Sequence, residues 1–467
     1  MLPKVVESGF QEIEGYGHTH HWSRQSIFWD LPYWRTNLIR HNFDVMHTEK
    51  NIFVNVFDTV MDVKDQTKDN LNARRDIADI CKRRELELVD LGNGNEVKPK
   101  AQYTLNAAQK KAVCEWISQL KLPDGYASNI RKCVDLRTKK LLGMKSHDCH
   151  IFMERLLPTA FSSLPEHIWN PLVELSQFFR DLCSTKLELD HLKQMEKNIP
   201  IILCKLERIF PPGFFDSMEH LPIHLAWEAK MGGPVQYRWM YPFERFLHSL
   251  KEKVGNRARP EGSICEAYIV QETTTFASYY FESHVHTRRN RAPRNDDGFE
   301  DQLFQPLSLF NQPGRAAGKK RHRFIERKEK DAAHLCVILN CEEVEPYQAL
   351  YVESLRAARP NISEIDVDRC IDNDFPQWFK DHVHQSSNET HSQFINDIAW
   401  GPLATVHTWP IYFVNGFKFH TTPWSEGKAT SNNGVCVRGA DSGQCENDYY
   451  GTLDEIVELE YSREPIK

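Results

Sequence analysis

NFDVMHTEKNIFVNVFDTVMDV, Asn42 to Val63, is the stretch around which the rest of the chain can be read. Val45, Ile52, Val56 and Val63 recur near a 3.6-residue period, and Phe53, Phe57 and Val60 widen the apolar stripe. That spacing predicts an amphipathic helix with one face in a core. Further along, Asn106 and Gln109 have capping-box spacing ahead of a helix expected over 107–120, with Val113, Trp116, Ile117 and Leu120 inward. Helices also fit 166–183, 188–210, 214–230 and 241–254. The second of these should stop at Pro211-Pro212, since proline removes a donor and clashes with the preceding turn.

Towards the other end the period changes. Ile411 to His420 is rich in β formers around Asn415-Gly416, a tight-hairpin dipeptide. Val457, Leu459 and Tyr461 alternate with Glu458 and Glu460, as in a half-buried strand. Residues 361–392 are polar and read as loop-rich. The expected fold class is therefore α+β, a mostly helical block followed by a small C-terminal β-rich domain. Residues 286–330 are basic, contain Pro and Gly, and have little periodicity, which reads as a linker between the two.

Composition narrows the function classes. Hydrophobic residues are 40% and charged residues 26% of the 467, an ordinary globular balance. The longest apolar runs, such as Ile199 to Leu203, are too short to span a bilayer. Acidic residues within Met1 to Glu14 argue against a signal peptide, so the expected place is inside the cell, with no membrane partner. The 12 cysteines are scattered and form no CxxC pair, which argues against a four-cysteine zinc site or a thioredoxin-like motif. Their places in apolar patterns suit buried free thiols. Net charge is −7, yet residues 286–330 carry +6 and the remainder −13. A basic block in an acidic chain suggests contact with nucleic acid or an import receptor. Arg288, Arg289, Arg291, Lys319, Lys320, Arg321 and Arg323 would carry DNA contact.

Four clusters could carry chemistry. Asp44 and His47 are three apart, so on a helix they share a face; the competing role for Asp44 is a helix cap. His220, His224 and Glu228 follow an i, i+4, i+8 stripe, a spacing that can chelate zinc, but Leu221 stands where HExxH has its glutamate. His147 and His150 also have helical ligand spacing. Packing histidines with satisfied hydrogen bonds are the plainer reading of both groups. Glu244 lies early on an amphipathic helix, where it either complements the helix dipole or joins a carboxylate set for Mg²⁺.

Several strings together resemble the plant En/Spm-type (CACTA) transposase. They are SIFWDLPYW (Ser26 to Trp34), RHNFDVMHTEKNI, TKDNLNARRDI, LPDGYASNI, KSHDCHIFMERLLP, FFRDLCS, IPIILCKLERIFPP, HLPIHLAWEAKMGGPVQYRWMYPFER and RARPEGSICEAY, in that order up to Tyr268. By this resemblance residues 1–200 are the C-terminal remnant of a transposase core with its helical insertion. Residues 201–285 are a helical transposase-associated domain of unknown function. Residues 331–467, with VNGFKFHT, NGVCVRG and DYYGTLDEIVELEY, are a second such domain, mixed and then β-rich.

The resemblance implies an RNase H-like catalytic fold with three metal-binding acids and an Asp-x-x-His element, here Asp44 to His47. It places the last acid at Glu244, with Glu261 and Glu266 as rivals, and Mg²⁺ as cofactor where the site is complete. In the family two acids precede the SIFWDLPYW node, and the roughly twenty-five residues ahead of it here carry no strand–Asp–Gly signature. The expectation is a transposon-derived, catalytically incomplete protein without a cofactor, nuclear or cytoplasmic. It would keep surfaces for DNA, an intact transposase or another protein. The alternatives are a metal-dependent hydrolase built on His220, His224 and Glu228, and a purely structural interaction protein.

Overall fold

In the computed structural model, Asp44 caps the helix that opens the core, α1 (Val45–Val60), its carboxylate accepting the His47 N–H at 3.2 Å. The structure describes residues 27–81, 83–92, 96–127, 129–282, 284, 285, 287, 314–385, 391–437 and 448–461. The chain divides into two compact units, residues 1–120 with 130–267, and residues 121–129 with 268–467. The fold is mostly α-helical, with a smaller C-terminal β-rich region.

In the first unit α1 buries Ile52, Phe53, Val56, Phe57 and Val60, the stripe expected from its period. Phe53 and Phe57 pack on Phe152 with ring centroids 5.0 and 5.7 Å away. After α1 come α2 (Leu71–Ile80), the ribbon β1–β2 (Val89–Asp90, Glu96–Val97) and α3 (Ala107–Gln119), which begins with the anticipated Asn106–Gln109 capping box. A second ribbon, β3–β4 (Val134–Asp135, Lys140–Leu141), leads into α4 (Ser146–Ile151). That helix runs on through a π-helical turn, Phe152–Leu156, into α5 (Leu157–Ala160).

Helices α6 (Glu166–Leu182) and α7 (Leu189–Ile209) pack against each other. The stretch read as one helix over 214–230 is broken into α8 (Ser217–His220) and α9 (Pro222–Gly232). Asp216 caps the first and Pro222 opens the second, so each piece has its own start signal. Helices α10 (Tyr241–Glu252) and α11 (Pro260–Ala277) follow and bury no residue; the division between the two units falls within α11. The described part of this unit contains no sheet beyond the two ribbons, and so no central RNase H-like sheet.

The second unit combines helices with small sheets. The strands are β5 (Arg315–Ala317), β6 (Arg321–Phe324), β7 (Thr405–Trp409), β8 (Ile411–Val414), β9 (Phe417–His420), β10 (Gly434–Val437), β11 (Tyr449–Thr452) and β12 (Ile456–Glu458). They pair antiparallel as β5-β8-β9, β12-β7-β6 and β10-β11. The Asn415-Gly416 turn sits where the hairpin pattern placed it, joining β8 to β9 with Val414 opposite Phe417 and both turn residues at positive φ. Part of the stretch read as a basic linker is strand: β5 and β6 lie inside it, hydrogen-bonded to β8 and β7.

The helices of this unit are α12 (Arg327–Leu339), α13 (Glu345–Ala358), α14 (Glu364–Gln385), α15 (Gln393–Trp400) and the short α16 (Thr422–Ser425). Helix α14 occupies the region expected to be loop-rich. Its core face is Val367, Ile371, Phe375, Phe379 and Val383, four residues apart among charges, which lowers the average hydrophobicity without interrupting the stripe.

Candidate metal centre

Glu49 stands on the apolar stripe of α1, one turn after Val45, and its side chain is fully buried. A carboxylate there must find partners or a cation, because an ionised group is costly to bury alone. Three side chains meet it. His150, near the end of α4, turns Nδ1 onto Glu49 Oε2. Glu154, in the π-helical turn, brings Oε1 to 3.6 Å from His150 Nε2. Cys183, the C-cap of α6, completes the group. One ligand atom from each of the four lies within 4.8 Å of the others. The π-helical turn adds a residue to the helical circuit just after His150, a distortion that often marks a functional site.

Neighbouring groups hold these side chains in place. Trp239 meets the His150 ring edge-on, 5.8 Å between centroids. Gln236 donates its amide to the Cys183 carbonyl, tying down the end of α6.

Burial controls the electrostatics. It pushes the Glu49 carboxyl well above its usual range, raises Glu154 to about 7, raises the Cys183 thiol and lowers the His150 imidazole. Each charged form is thus disfavoured while no counter-charge sits among them. Glu49 Oε1 and Glu154 Oε1 are buried without a hydrogen-bond partner. A divalent cation would satisfy both oxygens and displace the protons. Carboxylate oxygen, imidazole nitrogen and thiolate sulfur are the donors zinc takes in tetrahedral sites at about 2.0–2.3 Å. Those bonds put donors roughly 3.3–3.8 Å apart, so no pair of the four needs to draw in by more than about 1.5 Å.

The residues singled out from sequence lie elsewhere, with one exception. His150 is in the centre, while His147 is exposed with its ring 6.0 Å away. Asp44 is engaged as a cap, and His47 is exposed. Glu244, Glu261 and Glu266 are all exposed on α10 and α11. His220 and His224 come together on the surface, their Nε2 atoms 3.1 Å apart. Glu228 is buried and accepts instead from the Phe43 N–H at 3.2 Å and from Arg238 at 3.4 Å. Arg288, Arg289 and Arg291 lie outside the described residues. Lys319, Lys320 and Arg321 are exposed beside or on β6, and Arg323 is held by Glu329 and Glu455. Sequence reading missed Glu49, Glu154 and Cys183. Two signals pointed to the two acids: a carboxylate on an apolar stripe, and the His150–Glu154 spacing of four.

Residues 182–296 match the family model described as "Domain of unknown function (DUF4218)". This is a domain associated with plant CACTA-type transposase proteins, and it covers about a quarter of the chain. Cys183 falls at its start, while Glu49, His150 and Glu154 precede it. Neither the curated proteins nor the solved structures contain a match to this chain.

Proposed function

We propose that this chain is a CACTA-transposase-derived protein whose helical unit is stapled by one bound zinc ion at Glu49, His150, Glu154 and Cys183. The observation that carries the reading is the pair of buried carboxylate oxygens without partners, beside an imidazole and a thiol. The ordered strings from Ser26 to Tyr268 and the DUF4218 match support the lineage, in which such a helical unit accompanies an RNase H-like core. Four protein ligands make a closed coordination shell, and Glu49, His150 and Glu154 are each less than a tenth exposed. Catalytic zinc keeps a position open for water and substrate, so a closed shell favours a structural role. The metal would join α1, the α4–π turn and the end of α6, three segments far apart in sequence.

The test is metal analysis of the purified chain after zinc reconstitution, with three variants. One zinc per chain is expected, lost in Cys183→Ala and Glu154→Gln. The ion should persist in the double variant His220→Ala/His224→Ala, which removes the exposed histidine pair. Absence of zinc, or its loss in the histidine double variant alone, would overturn the assignment.

A further inference from the structure

The basic string Lys319-Lys-Arg-His-Arg323 is sorted by strand geometry into two sets. Side chains alternate across a strand, so on β6 Arg321 and Arg323 project to one side and His322 to the other. Just ahead of the strand, Lys320 joins the His322 side by its contacts and Lys319 the Arg321 side by the cavity both line. The second set is engaged: Lys320 sits over the Trp409 ring at 5.6 Å and 3.8 Å from Glu458, and His322 packs on His407. On the first side Arg323 is neutralised by Glu329 and Glu455. Lys319 and Arg321 have no hydrogen-bonded or ion-paired carboxylate among the described residues.

Both line an open cavity of about 600 Å³, with Lys428, Trp409, Trp424 and Asp454 among its other walls. Lys428 reaches it from the loop after α16, its Nζ 3.0 Å from the Trp424 ring centroid, and Lys418 lies 4.9 Å from the same ring. With Glu455 held by Arg323, three cations face one carboxylate, Asp454. Three convergent donors suit a phosphate group, for which the arginine fork has matching geometry. The volume is that of a small-ligand site, larger than a bare anion needs. The Trp424 indole and a carboxylate acceptor beside the cations are what a base or sugar would use.

We propose that this cavity of the C-terminal unit binds the phosphate of a nucleotide, with Lys319, Arg321 and Lys428 as its anion contacts. The proposal rests on a different unit from the zinc site and stands independently of it.

The test titrates the full chain, reading tryptophan fluorescence and calorimetry, against inorganic phosphate, AMP, a short single-stranded DNA and the matching duplex. Saturable binding of AMP or the single strand is expected, at least ten-fold tighter than inorganic phosphate and weakening with salt. Arg321→Glu and Lys428→Glu should each weaken it ten-fold or more, whereas Lys320→Glu, on the opposite side of the strand, should change it less than two-fold. All three positions are exposed, and an unchanged circular dichroism melt confirms folding. Tighter binding of the strand than of AMP identifies nucleic acid as the source of the phosphate; equal binding identifies a free nucleotide. Equal losses in Lys320→Glu and Arg321→Glu, binding of inorganic phosphate as tight as AMP, preference for duplex over single strand, or no binding would overturn the proposal.

Discussion

Arg74 is fully buried and bonds Asp69, itself 1% exposed, with a second guanidinium contact at 2.8 Å. It also donates to the Leu86 carbonyl at 2.7 Å, so one side chain closes the loop that follows α2. Arg74→Met should destabilise by about 3 kcal/mol, because it removes both guanidinium bonds and leaves buried Asp69 with Lys98, 3.6 Å away, as its remaining counter-charge. Adding Asp69→Leu should recover part of that loss, as urea denaturation of both variants will measure. His334 is the clearest pH-sensitive residue. It is 9% exposed, faces the Tyr461 hydroxyl at 3.2 Å, and is pushed down to about 4, first by burial and then by Lys330. Asp331 opposes that shift and Lys380 adds to it. Since the folded value lies below the ordinary 6.5, only the unfolded chain takes up this proton between pH 6.5 and 4. Its contribution is therefore full above about pH 6.5, falls by up to ~3 kcal/mol through that window, and is flat below it. Stability curves at several pH values should show this fall in the wild type and lack it in His334→Asn.

Elements differ in how plainly the sequence announces them. Helix α3 was legible because its cap lies in four residues, and the β8–β9 hairpin because only a few dipeptides take two positive φ values in succession. Gly416 has φ +76°, so Gly416→Ala should cost about 1 kcal/mol or more, readable as a lower melting temperature. Helix α14 was hidden because its stripe is narrow and charges crowd its other faces. Strands β5 and β6 were hidden because what makes them strands is pairing with β8 and β7, roughly ninety residues later. The candidate metal cluster was partly legible for a related reason. His150 announces itself by type, whereas Glu49 and Cys183 gain meaning only when α1 and the end of α6 are brought to it.

At the scale of the molecule, the proposed ion acts on the helical unit alone. Occupancy at 100–1,000 times Kd would add about 3–4 kcal/mol to that unit. Chelation should therefore lower one of two calorimetric transitions and leave the other in place, with Cys183→Ala insensitive to chelator. A single chelator-independent transition would count against a staple. The division into units also has a topological side. Residues 121–129, which follow α3, belong with the C-terminal unit: Lys121 donates to the Ser425 carbonyl at 3.2 Å, and Asp124 N–H to Asn432 Oδ1 at 2.8 Å. The backbone therefore passes between units three times, at 120/121, 129/130 and 267/268. On the ribosome, this early segment must wait for some three hundred further residues to be made before its partners exist. A gene split at codon 268 would strand it on the wrong fragment, so separate production of the two halves calls for a circularly permuted or loop-grafted design.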